Sequence, residues 1–181
     1  MKITGTALLI VDIINKMDFE GAENLLAETR PILKPLIDLK HICKEHDIPV
    51  IYVNDNFGLW QENVDQIVEE CRGGLGDVFV QALHPQEDDY FIIKPKHSGF
   101  YGTQLDILLK HLNISRLIIT GITTDMCILF TANDAYMREY EIWVPKDCTA
   151  AETQDAKEHA LEILHTTLSI DCSSSSDVSF D

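Results

Sequence analysis

Basic residues are scarce in this sequence. Fourteen Lys and Arg residues stand against thirty Asp and Glu residues in a chain of 181, which gives a formal net charge of −16. No cluster of Lys or Arg interrupts this acidic excess. Because a phosphate backbone or an anionic bilayer repels such a chain, we expect no nucleic-acid partner and no membrane partner. The excess itself is typical of a solvated surface.

A long hydrophobic run is also missing near the start. The first apolar stretch, Ala7–Val11, has only five residues before Asp12. A secretory signal needs an apolar segment of about 7 to 15 residues, and a membrane-spanning helix needs about 20. We therefore expect a cytoplasmic protein.

Cysteines are few, and their spacing excludes two common roles. The five are widely separated and form no C-x-x-C pair, at Cys43, Cys71, Cys127, Cys148 and Cys172. This pattern argues against a disulfide framework and against a structural zinc site, so we expect reduced thiols. The seven histidines show no metal-ligand spacing either, and we expect neither a metal nor a cofactor.

Apolar runs and helical stretches alternate along the chain. The predicted strands span Thr6–Asp12, Ile48–Asp55, Asp89–Pro95, Leu117–Gly121 and Tyr140–Pro145. The predicted long helices span Ala22–His46, with a break at Pro31 and Pro35, Gln104–His111, Asp125–Arg138 and Thr153–Leu168. This alternation predicts an α/β fold with three α-β-α layers and a mostly parallel, Rossmann-like central sheet. We place one domain at residues 1–170 and a Ser-rich tail at 171–181.

The most informative stretch is Leu117–Cys127, where a buried strand ends at Gly121 and a helix begins. If Thr124 is the N-cap, Cys127 lies beside free backbone N–H groups and the positive end of the helix dipole. This position favours an anion, so it predicts a lowered thiol pKa and a nucleophilic role. The alternative is that Cys127 is a small buried apolar residue, as most free cysteines are.

Two charged residues end predicted strands of the same sheet. Asp12 follows the first apolar run, and Lys94 ends the third. Taken alone, Asp12 is equally well a cap or turn residue, and Lys94 a solvated lysine. All carboxyl ends of a parallel sheet lie on one edge, however, so both residues can meet Cys127 there. A carboxylate base, an ammonium beside the sulfur and helix N–H groups together predict cysteine-dependent acyl transfer.

Three motifs carry a resemblance to a known family. They are Leu9-Ile10-Val11-Asp12 with Asn15, the segment Lys94–Thr103, and Gly121–Cys127 followed by Thr131-Ala132-Asn133-Asp134-Ala135. With them the chain resembles the isochorismatase-like cysteine hydrolases, from Leu8 to about Leu168. That family includes nicotinamidases, N-carbamoylsarcosine amidase, ureidoacrylate amidase and the isochorismatases, and the resemblance implies the family's hydrolase fold.

The resemblance implies a catalytic triad of Asp12, Lys94 and Cys127. Lys94 is the match rather than Lys96, because the family's lysine stands four residues before its Ser-small-Phe motif. That motif is Ser98-Gly99-Phe100 in this chain.

The resemblance also implies an oxyanion hole. A cis peptide bond precedes the nucleophile turn in the family, and by position it joins Ile122 and Thr123. The resemblance implies that this bond directs the N–H groups of Thr123 and Cys127 toward the negatively charged oxygen that forms on the substrate carbonyl. In the implied mechanism Asp12 deprotonates Cys127, the thiolate forms a thioester at a substrate amide carbon, and water hydrolyses it while Lys94 balances the charge.

The chain departs from its relatives near the site. Many relatives carry Gln two residues after the Asp and Phe five residues after it, whereas Ile14 and Met17 stand here. Metal-binding nicotinamidases carry Asp-x-His after the second strand, but Asp55-Asn56-Phe57 has no such His. These departures argue against a metal and against nicotinamide as the substrate.

Aromatic residues on loops are the candidate substrate-binding residues. We expect Phe19, Phe57 and Trp60 in this role, because an aromatic side chain near a strand end can line a pocket. The alternative for Phe57 and Trp60 is packing against the neighbouring helix.

Three functional hypotheses stand side by side. The first is a cysteine-dependent hydrolase acting on a small-molecule amide, ureido or carbamoyl substrate. The second is hydrolysis of a vinyl ether, as in isochorismatases, which typically lack the nucleophilic cysteine. The third is a thiol- or ligand-binding protein without catalysis. The resemblance further implies a homodimer or homotetramer.

Overall fold

The structure, a computed structural model, describes residues 5–58 and 63–177. The strands of these residues are β1 Thr6–Val11, β2 Val50–Asp55, β3 Tyr90–Lys94, β4 Arg116–Ile122, β5 Glu141–Trp143 and β6 Thr149–Ala150. They form one parallel sheet in the order β3-β2-β1-β4-β5, with β6 also paired to β4. The order reverses direction at β1, so β1 and β4 occupy the centre of the sheet.

Helices cover both faces of this sheet. In chain order they are α1 Ala22–Thr29, α2 Leu33–Glu45, α3 Val64–Glu70, α4 Asp77–Ala82, α5 Leu105–His111, α6 Leu129–Tyr136 and α7 Gln154–Leu168. Buried residues of α1 to α4 share one apolar cluster, and buried residues of α5 to α7 share the other. The expected three-layer α/β fold is therefore confirmed.

Strand β1 shows why the sheet is buried on both sides. All six of its residues are buried, and the five apolar ones alternate between the two apolar clusters. Leu8 and Ile10 join the cluster of α1 to α4, whereas Leu9 and Val11 join the cluster of α5 to α7. Alternating side chains of a strand point to opposite faces, so a continuous apolar run suits a central parallel strand.

Among the local details, one prediction is confirmed and two short elements differ from the sequence pattern. The break expected in the first helix is confirmed, because a 3₁₀ turn at Arg30–Ile32 carries Pro31 in its first turn. Strand β6, with only two residues, was not predicted. A π-helical turn at Thr124–Ile128 precedes α6, where the sequence pattern predicts one continuous helix. Short elements of this kind follow tertiary contacts more than local propensity.

Residues 171–177 of the Ser-rich segment lie against the domain. The N–H of Val144 donates to the carbonyl of Asp171 at 2.9 Å, and the indole N–H of Trp143 donates to the carbonyl of Ser173 at 3.2 Å. The Asp147 carboxylate accepts hydrogen bonds from Ser174 and Ser175. The division at residue 170 stays a prediction. No helix of the described residues has the length and apolar character needed to cross a bilayer.

Candidate active site

Three side chains from distant segments meet at the carboxyl edge of the sheet. Asp12 directly follows β1, Lys94 is the last residue of β3, and Cys127 lies in the turn after β4. The Lys94 Nζ is 2.8 Å from Asp12 Oδ2 and 3.4 Å from Cys127 Sγ. Strand β3 is two positions from β1, about 9.6 Å away, and the long lysine side chain spans that gap. The structure thus brings together the three residues of the expected triad.

The surroundings of Asp12 hold its carboxylate in place. Its backbone is left-handed with a φ of 51°, which is uncommon for a residue with a side chain. Its N–H donates to the carbonyl of Val53 at 3.0 Å. Its Oδ1 accepts the backbone N–H of Asp55 at 2.7 Å, which leaves Oδ2 toward Lys94. Two strand ends therefore orient this one carboxylate.

Burial dominates the electrostatics of the site. Side-chain exposure is 1% for Lys94 and 8% for Asp12, while Cys127 is half-buried. Burial raises the pKa of the Cys127 thiol to about 12, and the Asp12 carboxylate adds to this rise against the opposing charge of Lys94. Burial also raises the pKa of Asp12, although Lys94 opposes this change. The lowered thiol pKa that the sequence predicts is therefore wrong for the resting site, because burial and the Asp12 charge outweigh the charge of Lys94.

Lys94 keeps its charge in this environment. Burial by itself lowers the pKa of Lys94, but the charges of Asp12 and Cys127 outweigh that effect and raise it. The resting triad is then an ammonium, a carboxylate and a thiol, with the ammonium donating to the sulfur at 3.4 Å. Moving the thiol proton to Asp12 leaves the net charge of the three groups unchanged.

The turn that holds Cys127 has an unusual backbone. The peptide bond between Ile122 and Thr123 is cis, as the resemblance implies. Thr123 is the N-cap rather than Thr124, so the π-helical turn begins one residue earlier than expected. The carbonyl of Thr123 accepts the N–H groups of Met126 and Ile128 at 3.3 and 3.1 Å. Within the described residues the buried Thr123 hydroxyl has no hydrogen-bond partner.

A buried pair of hydroxyls supports this turn from behind. Thr124 Oγ1 and Thr149 Oγ1 are 2.7 Å apart, and both residues are fully buried. Thr149 belongs to β6, which pairs with Gly121 and Ile122 at the end of β4. The sequence offers no local signal for Thr149, because its role depends on a strand of two residues.

The loop after Lys94 is attached to the helix behind the nucleophile. The hydroxyl of Ser98 donates to the carboxylate of Asp134, and the N–H of Gly99 donates to Thr131 Oγ1 at 2.9 Å. Thr131 and Asp134 lie one turn apart on α6. The Ser-Gly-Phe motif and the Thr-Ala-Asn-Asp-Ala motif are therefore two halves of one contact, which links the positions of Lys94 and Cys127.

Asp55 is a charged residue of the site that the triad prediction does not include. It is the last residue of β2 and pairs in register with Lys94. Its Oδ2 is 3.9 Å from the Lys94 Nζ, and 40% of its side chain is exposed. Its position at a strand end is the same signal that identifies Asp12.

The expected substrate-binding aromatics lie at different places. Phe57 follows Asp55 by two residues, and its N–H donates to Asp55 Oδ1 at 2.8 Å, which places it beside the triad. Phe19 is 42% exposed and lines a cavity of about 390 Å³ with residues of the Met17–Asn24 segment and Leu75. That lining contains none of the triad residues. Trp60 lies outside the described residues.

Metal ligation was tested against the side chains of the described residues. Among residues 5–58 and 63–177, no three His, Cys, Asp or Glu side chains come together in an arrangement that could hold a metal ion. The carboxylates of Asp12 and Asp55 instead face Lys94.

Comparisons with known sequences give one consistent family. Residues 6–174 match the family described as the Isochorismatase domain. The uncharacterized isochorismatase family protein YaaI of Bacillus subtilis (strain 168) is 44% identical over 162 residues, which cover 90% of each chain. The ureidoacrylate amidohydrolase RutB of Serratia proteamaculans (strain 568) is 40% identical over 97 residues, 53% of this chain and 39% of RutB.

Solved structures show the same architecture. An isochorismatase-like hydrolase from Alkaliphilus metalliredigens matches with a TM-score of 0.78 and 26% identity, over 96% of this chain and 94% of that one. N-carbamoylsarcosine amidase from Thermoplasma acidophilum matches with a TM-score of 0.73 and 24% identity, over 97% of this chain and 99% of that one. The sheet and its helical layers are therefore common to all three proteins.

Proposed function

The chain belongs to the isochorismatase domain family of hydrolases, and from that premise we propose that it is a cysteine-dependent hydrolase of C–N bonds in small molecules. The substrates are amide, ureido or carbamoyl compounds, and the reaction proceeds through a thioester. The family match confirms the resemblance seen in the sequence.

One observation carries this proposal. A buried ammonium lies 2.8 Å from a carboxylate and 3.4 Å from a half-buried thiol. A purely structural ion pair would not require a thiol beside it, and a purely structural cysteine would not require a buried charge pair beside it. Neither structural role therefore explains why the three groups lie together. A nucleophile, a base and a cation at these distances are the groups that acyl transfer requires.

The first step is a proton transfer within the triad. Asp12 accepts the thiol proton of Cys127, and Lys94 stabilises the thiolate that forms. The raised pKa of Asp12 favours this transfer, because a carboxylate of higher pKa is a stronger base. The raised pKa of the Cys127 thiol opposes it, and the positive charge of Lys94 offsets part of that opposition. The thiolate exists only while Asp12 holds the proton, which keeps the resting thiol inert.

The thiolate then attacks the carbonyl carbon of the substrate. A carbon–sulfur bond forms, and the carbonyl oxygen becomes an oxyanion near the N–H groups of Thr123 and Cys127 at the start of the π-helical turn. Backbone donors fixed toward such an oxygen typically lower the barrier by about 3 to 4 kcal/mol each.

The last steps release the amine and regenerate the thiol. Asp12 gives its proton to the departing nitrogen as the C–N bond breaks, so ammonia or an amine leaves. Asp12, again a carboxylate, then deprotonates a water molecule that attacks the thioester. The carboxylic or carbamic acid product leaves, and Cys127 regains its proton from Asp12.

The names of the relatives support the substrate class. RutB is named as an amidohydrolase of ureidoacrylate, and the Thermoplasma protein as an amidase of N-carbamoylsarcosine. Both names describe a small molecule with an N-linked carbonyl. We propose the same class for this chain, with the reaction in the cytoplasm and no added cofactor.

A panel assay with matched variants tests the function. The purified protein is incubated with simple amides, ureido compounds and carbamoyl compounds, and ammonia release is measured. We expect Cys127→Ala and Asp12→Asn each to lower kcat by a factor of about 10³ or more, because each removes a reacting group. Cys172→Ala is the control, since it removes another half-buried cysteine far along the chain and leaves the rate unchanged.

Two outcomes would contradict the proposal. If Cys127→Ala retains full turnover, and that turnover is of a vinyl ether rather than an amide, the second hypothesis is correct. If thiol reagents label Cys127 stoichiometrically while no compound of the panel is hydrolysed, the protein is a thiol or ligand binder.

A further inference from the structure

Asp55 places a second carboxylate beside the catalytic lysine. As the last residue of β2, it lies between the strand ends that carry Asp12 and Lys94. Its backbone N–H donates a hydrogen bond to Asp12 Oδ1 at 2.7 Å, and its own Oδ2 lies 3.9 Å from the Lys94 Nζ. The residue is thus part of the site through its backbone, and its side chain has a separate role.

Exposure separates this carboxylate from the triad. The side chain of Asp55 is 40% exposed, compared with 8% for Asp12 and 1% for Lys94. A molecule that approaches the thiol from solvent therefore meets the Asp55 charge before it meets the buried pair. Within the described part of the chain, Asp55 is the exposed carboxylate nearest to Lys94.

The carboxylate of Asp55 is also held in a fixed direction. Its Oδ1 accepts the N–H of Phe57 at 2.8 Å, which uses one oxygen and orients the group. Its Oδ2 is too far from Lys94 for a hydrogen bond, at 3.9 Å. An ionised carboxylate has about four acceptor positions, so Oδ2 can accept a hydrogen bond from an incoming N–H.

The charges of the site do not cancel. Lys94 supplies one positive charge, Asp12 and Asp55 supply two negative charges, and Cys127 is a neutral thiol at rest. The negative charge on Asp55 is the exposed one of the two. The net charge of −16 on the whole chain has the same sign and adds to its effect on an approaching ion.

From this arrangement we infer that Asp55 selects substrates by charge. It accepts a hydrogen bond from an N–H group next to the scissile carbonyl, as in a urea, carbamoyl or amino compound. It repels a carboxylate or phosphate placed at the same position, so any acidic group of the substrate lies remote from the scissile bond. This inference rests on the proposed function, since it concerns the molecule that reaches Cys127.

Substitution by asparagine isolates the charge from the shape. Asp55→Asn keeps an oxygen that can accept the Phe57 N–H, and it leaves the backbone bond to Asp12 in place. It removes only the negative charge and part of the acceptor capacity. The matched control is Asp38→Asn, which removes an exposed charge from α2, where Asp38 pairs with Lys34.

Charged thiol reagents provide a test that needs no substrate. Three methanethiosulfonates carry a trimethylammonioethyl, a sulfonatoethyl or a methyl group, and the two charged reagents are of similar size. Each reacts when the thiolate sulfur bonds to the reagent's thiol sulfur, which forms a disulfide and releases methanesulfinate. Modification of Cys127 is followed over time by peptide mass spectrometry, and the measured quantity is the ratio of the cationic to the anionic rate. A change in the Cys127 pKa alters all three rates equally and cancels from this ratio.

We expect the ratio in the native protein to exceed that of a free small thiol. In Asp55→Asn it falls by about tenfold, which is the effect of one nearby unit charge on reagents of opposite sign. In Asp38→Asn it changes by less than about twofold, because a distant exposed charge is screened.

An unchanged ratio in Asp55→Asn would overturn the inference and leave the proposed function intact. An equal fall in Asp38→Asn would also overturn it, since the effect would then come from the overall charge. If none of the reagents modifies Cys127 in the native protein, the nucleophile is inaccessible, and the proposed function fails together with the inference.

Discussion

At the scale of single residues, the reactivity of Cys127 is set by its neighbours. Burial and the Asp12 charge raise its pKa to about 12, whereas Lys94 lowers it. At neutral pH the thiol therefore stays protonated until Asp12 accepts the proton. This arrangement protects the sulfur from stray oxidants, because the thiolate is the reactive form.

The pH dependence of alkylation tests this description. With iodoacetamide, a neutral reagent, we expect the rate at Cys127 to keep rising well above pH 9, because its pKa is raised to about 12. Asp12→Asn removes a charge that raises this pKa, so the midpoint moves to lower pH. Lys94→Met removes a charge that lowers it, so the midpoint moves higher. Peptide mass spectrometry after short pulses at each pH measures both shifts.

Cys172 is an internal control for the same samples. Burial raises its pKa to about 11, and Asp171 rather than the triad is the charge beside it. Its midpoint should not move in either variant. A midpoint for Cys127 that rises in Asp12→Asn would show that the carboxylate does not act on the thiol as described.

At the scale of secondary-structure elements, the site depends on the close pairing of β1 with β4. Val11 and Gly121 are register partners at the ends of these strands, just before Asp12 and the nucleophile turn. Gly121 has a φ of 111°, and a Cβ atom there would lie 2.0 Å from the carbonyl oxygen of Val11. Any side chain at Gly121 therefore pushes the ends of β1 and β4 apart.

A pair of Gly→Ala variants measures the importance of this approach. We expect Gly121→Ala to lower the free energy of unfolding by about 3 kcal/mol or more, because it combines a strained φ with a backbone clash. Gly58 also has a positive φ, of 76°, but a Cβ there would meet no atom of residues 5–58 and 63–177 within 4 Å. Gly58→Ala should lower the free energy of unfolding by only about 1 kcal/mol, because the positive φ is unfavourable for alanine but no clash is added. Urea unfolding followed by circular dichroism compares the two.

Equal decreases in the free energy of unfolding of the two variants would contradict the expected clash between a Cβ at Gly121 and the carbonyl of Val11. If Gly121→Ala fails to accumulate in folded form while Gly58→Ala does, the strong effect is established without a measured free energy. A fully stable Gly121→Ala would mean that the strands can separate without loss.

At the scale of the whole molecule, charge governs association. The formal charge of −16 means that two copies of this chain repel each other at long range. The expected homodimer or homotetramer stays a prediction. If it forms, apolar contact must overcome this repulsion, and the exposed Met126, Phe130 and Met137 around α6 are uncharged side chains suited to such a contact.

Salt provides a direct test of the oligomer. Because added salt screens like charges, we expect the oligomer to dissociate at low ionic strength and to strengthen at physiological ionic strength. Sedimentation velocity at several protein concentrations measures the association in both conditions. A monomer in every condition would contradict the expectation, and an oligomer that salt weakens would mean that ion pairs hold it together.

The sequence by itself determined the layers of the fold and the strand-end positions of Asp12 and Lys94. Apolar runs of a few residues between helical stretches are local patterns, and local patterns predict strands, helices and their alternation. Cys127 was identifiable for the same reason, since it lies in a strand-to-helix corner.

Only the tertiary structure decided what these residues do to one another. The strand order β3-β2-β1-β4 brings Asp55 beside Lys94, and β6 brings Thr149 against Thr124, although neither contact has a local signal. The same packing removes water from the thiol and raises its pKa, which reverses the prediction made from the helix dipole. Burial and long-range contacts depend on how distant segments pack, and periodicity within one segment contains no information about that packing.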